Sequence, residues 1–131
     1  MGEPEWTGRA REGLDGIEDD VLVYELRGPL FFGAASRFTQ TLERADLKGR
    51  RVVIFRLNSV TAVDETGLRA FEVIIDRLRK NRQTVILSHI PFDTARKMDR
   101  FGLLARVGAQ NIVADWPAAV TRARELLRST A

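Results

Sequence analysis

The chain has 131 residues, 44% hydrophobic and 30% charged, which suits one globular domain with a single core. Its 21 basic and 18 acidic residues leave a net charge of +3, but they are interspersed and form no basic block of the kind that marks a nucleic-acid footprint. The absence of cysteine excludes disulfides, thiolate catalysis and cysteine-bound metals, the lone His89 cannot build a multi-histidine metal site, and no apolar run approaches the ~20 residues that span a bilayer.

Residues 1–20 carry Gly, Pro and charge without periodicity, and no signal-peptide pattern opens the chain. They are expected to form a flexible tail or linker ahead of a domain over 21–131. Val21 to Arg27 is rich in apolar and β-prone residues and predicts a strand. Gly28-Pro29 then turns or bends the chain, and Leu30-Phe31-Phe32 predicts a second short strand closed by Gly33. Ala34, Phe38, Leu42 and Ala45 recur at helical spacing and predict a helix. Val52 to Leu57 is nearly continuous apolar sequence, as in a strand covered on both faces.

The stretch that follows, Ser59 to Phe71, organises the rest. A short exposed loop is expected to lead into a helix ending near Asn81, with Leu68, Phe71, Ile75 and Leu78 on one stripe. Asp64 stands immediately before that stripe, where a short carboxylate accepts from the unpaired N–H groups of a first helical turn. Thr84 to Ser88 is the next strand. A helix from Pro91 is expected to turn Phe92, Ala95 and Met98, with Phe101 or Leu103, inward and to stop near Gly102. Asn111 to Val113 is a last short strand, and Asp115 caps a final helix with Pro117 in its first turn. The order β-β-α-β-α-β-α-β-α implies one α/β domain with a mostly parallel central sheet and helices packed on it.

Asp64 and Glu65 are adjacent carboxylates at a helix start, with no His or Cys nearby in sequence. Capping, worth about 1 kcal/mol, and a helix-dipole term of ~0.3–1 kcal/mol explain them better than general acid–base catalysis. A phosphate at that helix start would meet repulsion of roughly 1 kcal/mol per charge pair in water, so the loop does not support nucleotide binding. Thr66 is a cap, a helix-start residue or a phosphorylation acceptor, and a structural role fits it better than the last. Gly67 sacrifices ~1 kcal/mol of helix propensity and therefore implies close backbone approach. His89 is read as a loop hydrogen-bonder. Leu30, Phe31 and Phe32 are unusually apolar for a connection, and are expected in the core or on a partner surface.

Val63-Asp64-Glu65-Thr66-Gly67-Leu68, following a buried strand, resembles the loop signature of STAS domains. That family includes bacterial anti-sigma factor antagonists and the cytoplasmic domains of SulP-type sulfate permeases. Gly28 to Ala35 and Met98 to Leu103 are similar to the second-strand segment and third-helix ending of the permease branch. The resemblance implies a single STAS-like domain with one end strand antiparallel, no catalysis, no metal and no cofactor. It also implies that Asp64, Glu65, Thr66 and Gly67 form a partner-contact or switch loop. The implied partners are the transmembrane domain of the same transporter, a second protomer, or a cytoplasmic regulatory protein, met at the cytoplasmic face of the inner membrane. Anti-sigma antagonists carry a phosphorylatable Ser or Thr directly after the loop Asp. This chain has Glu65 there, which favours the permease branch over a free-standing cytoplasmic antagonist.

Overall fold

A computed structural model describes residues 13–30 and 49–129. Four strands form one sheet in the order β1 (Val21–Leu30), β2 (Val52–Val63), β3 (Thr84–Ser88) and β4 (Ile112–Val113). Helix α1 (Glu65–Lys80) follows β2, and α2 (Phe92–Arg100) and the short α3 (Leu103–Val107) follow β3. Helix α4 (Trp116–Ser129) follows β4.

Strand alternation sorts the side chains into two cores. Leu22, Tyr24, Val53, Phe55, Val85 and Leu87 face α1, α2 and α3 on one side of the sheet. Val21, Val23, Val52, Ile54 and Ile86 face Ala119 and Ala123 of α4 on the other. This two-sided burial is why β2 reads as an unbroken apolar run. The stripe expected on α1 is buried as a unit, with Ile74 added to Leu68, Phe71, Ile75 and Leu78.

The single α/β domain with a parallel sheet is found as expected. An antiparallel end strand is not found among the described residues: β1–β2, β2–β3 and β3–β4 all pair parallel. Gly28-Pro29 does not reverse the chain either. Gly28 takes φ 74, the register slips on both sides of it, and β1 continues to pair Leu30 with Val63. A bulge absorbs the irregularity, and Pro29 costs little on a strand at the end of the described sheet. Leu30 therefore belongs to β1 and does not open a separate strand. Phe31, Phe32 and the helix expected over Ala34 to Ala45 lie outside the described residues.

Three further expectations are corrected. Ser59 to Val63 is sheet, not loop, because β1 runs alongside it to the end. The segment 13–20, assigned to the tail, is packed on the domain: Leu14 is fully buried in the α4-side core and Arg124 donates to the Gly13 and Asp15 carbonyls at 2.7 and 2.8 Å. Phe92 does not face inward. It is 75% exposed, because Thr94 and Met98 take the buried side of α2. Gly102, at φ 86, breaks this region into α2 and α3 and lets Leu103 fold back into the core.

Tyr24 is fully buried between strands, and burial pushes its hydroxyl up to about 12. A raised folded value means the neutral phenol is held by the fold. Stability is therefore unaffected below about pH 10, the ordinary tyrosine value, and falls as pH rises towards about 12. Alkaline denaturation followed by circular dichroism should show that loss, and Tyr24→Phe should flatten the curve over the same window.

Candidate functional site

Strand β2 passes directly into α1 through one residue. Asp64, at φ −111 and ψ 176, stays extended while its side chain turns back, and Oδ1 accepts from the Gly67 N–H at 2.8 Å. Its own carbonyl accepts from the Leu68 N–H at 3.0 Å, the first helical bond. The expected cap is therefore present in detail. Gly67 is buried in the first turn.

Glu65 points the other way. Its carboxylate pairs with Arg69 one turn on at 3.0 Å, with both side chains mostly exposed. Such a pair contributes ~0.3–0.5 kcal/mol. Thr66 is exposed beside it. The two carboxylates thus have separate tasks, one as a cap and one as half of a surface ion pair. Asp64→Ala should lower stability by about 1 kcal/mol in urea denaturation, whereas Glu65→Ser should change it by less than about 1 kcal/mol. A larger loss for Glu65→Ser than for Asp64→Ala would reverse these assignments.

The other wall comes from α2 and was not expected from the sequence. Lys97, Arg100 and Phe101 of the α2 end line one open groove of about 550 Å³ with Val63, Asp64, Glu65 and Leu68. Lys97 Nζ donates to the Val63 carbonyl at 3.4 Å, tying α2 to the end of β2. Arg69 stacks over the Phe101 ring at 5.6 Å, and Arg96 over the exposed Phe92 at 5.9 Å. The groove is bipolar, acidic along α1 and basic along α2, with an apolar floor. The spacing of Lys97, Arg100 and Phe101, three and four residues apart, is the signal that could have grouped them on one helix face.

Of the expected site residues, Asp64, Glu65, Thr66 and Gly67 are together at this junction. Leu30 joins them only through backbone register, as the partner of Val63. His89 lies elsewhere, exposed after β3 at φ 58, with its backbone N–H donating to the Val113 carbonyl at 3.0 Å. Among the described residues no group of His, Asp and Glu is arranged to hold a metal ion. No helix among them is long and apolar enough to cross a membrane.

A parallel sheet with helices on both faces and a capped, exposed strand–helix junction defines a single α/β module. The STAS-domain family model matches residues 14–116. The chain belongs to the STAS-domain family. It is similar in structure to a sulfate transporter family protein from Wolinella succinogenes, with a TM-score of 0.76 and 27% identity, over 83% of this chain and 88% of that one. It is also similar to the SulP transporter STAS domain from Vibrio cholerae, with a TM-score of 0.73 and 27% identity, over 84% and 85% of the two chains. The anti-sigma factor antagonist SpoIIAA in its unphosphorylated form shares the fold, with a TM-score of 0.59 and 21% identity over 81% and 91%. No curated protein sequence matches the chain.

Proposed function

We propose that this chain is a non-catalytic interaction domain of a bacterial SulP-type anion transporter, acting in transport, assembly or trafficking. The kinship at 27% identity with two transporter-type domains, across more than four-fifths of each chain, carries this reading. Glu65 supports it, since the position after the loop Asp offers an ion-paired carboxylate in place of a hydroxyl. The groove between the α1 start and the α2 end is the contact face, with the transmembrane domain of the same transporter or a second protomer as its partner at the cytoplasmic side of the inner membrane. Cells expressing the full-length transporter should lose uptake of labelled sulfate or a related anion when the domain is deleted. Unchanged uptake, with the truncated protein present in the membrane, contradicts the proposal.

A free-standing anti-sigma factor antagonist is the second reading, favoured by the shared fold and by the exposed hydroxyl of Thr66. It requires phosphate on Thr66 after incubation with an anti-sigma kinase and ATP. Mass spectrometry of the intact chain separates the two readings.

A further inference from the structure

At the opposite end of the sheet from the Asp64 junction, three arginines from three elements converge. Arg79 in the last turn of α1, Arg82 in the turn after it and Arg106 of α3 line one pocket of about 330 Å³, with Gln83, Thr84 and Asn111. Arg106 is fixed by Asp76 at 2.9 Å and Glu72 at 2.9 Å, so its charge is answered. Arg79 and Arg82 have no carboxylate partner among the described residues.

The polar wall is already set. Gln83 Nε2 donates to the Arg50 carbonyl at 3.0 Å, while Asn111 donates to the Val107 carbonyl at 3.3 Å and accepts from Arg122 Nε at 2.8 Å. Arg82 occupies φ 63, a left-handed conformation that Gly or Asn adopts more readily, and its N–H is held by the Arg79 carbonyl at 2.9 Å. The negative end of α1 offsets about half a charge here. The two unanswered guanidinium groups that line the pocket exceed that.

We propose that this pocket binds a tetrahedral oxyanion of the phosphate or sulfate class, held by the forks of Arg79 and Arg82. Planar guanidinium groups match two oxygens of such an anion at once, and charge-assisted bonds of this kind are the stronger ones. The anion has two sources, a free ion or small phosphate ester in solution, or the headgroup of an anionic lipid. The proposal is independent of the transporter reading.

The test is amide-resolved NMR titration with sodium phosphate and sodium sulfate against sodium chloride at matched ionic strength. A parallel arm measures co-sedimentation with phosphatidylcholine vesicles with and without phosphatidylglycerol. Saturable shifts at Arg82 and Thr84 with phosphate or sulfate are expected. Arg79→Gln and Arg82→Gln should each weaken binding about tenfold, the scale of one charge-assisted hydrogen bond. Lys80→Gln, outside the pocket wall, should stay within about twofold. Binding only to the phosphatidylglycerol vesicles, with the same dependence on Arg79 and Arg82, identifies the lipid headgroup as the source. The proposal is overturned if neither arm exceeds its chloride or phosphatidylcholine control. It is equally overturned if Arg82→Gln retains affinity, or if Lys80→Gln weakens binding as much as Arg82→Gln, which is the signature of diffuse charge.

Discussion

Phe71→Ala should lower the unfolding free energy by about 3–5 kcal/mol, a large share of the ~5–15 kcal/mol typical of a domain. Phe71 is 1% exposed and meets Phe55 edge to face at 5.2 Å, and Phe55 in turn stacks on Tyr24 at 6.0 Å. These three rings join β1, β2 and α1, so truncation opens a cavity where the helix is seated on the sheet. Val73, two residues away and 56% exposed, provides the comparison: Val73→Ala should fall within ~0.5 kcal/mol. Urea denaturation of both variants, with an unchanged denaturant slope, makes the measurement. A loss below about 1 kcal/mol for Phe71→Ala would mean that α1 is not packed through this stripe. The consequence reaches function, because the same helix carries the Asp64 cap and one wall of the groove.

The second large effect is expected in the groove. Reversing Lys97 and Arg100 together to Glu makes the basic wall acidic while leaving the core untouched, since both side chains are exposed. The fold should lose only the Lys97 bond to the Val63 carbonyl and ~0.3–1 kcal/mol per residue of favourable charge at the α2 end. Docking should lose much more. The reversal inverts the charge that one wall offers any docked surface, and charge complementarity governs both encounter and register. In the full-length transporter the double variant should reduce anion uptake nearly as far as removal of the domain, with the isolated domain still cooperatively folded. Uptake at the unaltered level would show that this face is not a docking surface.

Much of the architecture was legible because it depends on local chemistry. The spacing of Leu68, Phe71, Ile75 and Leu78 specifies a buried helix face, and Asp64 three residues before Gly67 specifies its cap. Asp115 likewise caps α4, its Oδ1 accepting from the Ala118 N–H at 2.9 Å. The misreadings came where a distant segment decides the outcome. Gly28-Pro29 has the composition of a turn, yet pairing with β2 carries the strand through it. Ser59 to Val63 looks like a loop until β1 lies alongside it. Leu14 and Ile17 show no periodicity, and it is the core between the sheet and α4 that gives them something to pack against. Phe92 is apolar at a helical position, but its exposure follows from how α2 is rotated over the sheet, with Met98 inward. The groove and the arginine pocket share this property: Lys97 and Arg106 each reach their partners across about 30 residues of chain.

On the proposed function, the α1 start is the face this domain presents to the membrane region of a transporter or to a second protomer. Thr66→Cys tests it most directly, because the chain contains no cysteine of its own and Thr66 is exposed next to Glu65, which lines the groove. A thiol-directed photocrosslinker at that position, in an otherwise cysteine-free full-length transporter in membranes, should join the domain to the transmembrane region or to a second protomer. The same label at Val73→Cys, exposed farther along α1, should give little product. Equal yields from the two positions, or no adduct from Thr66→Cys, would contradict the account.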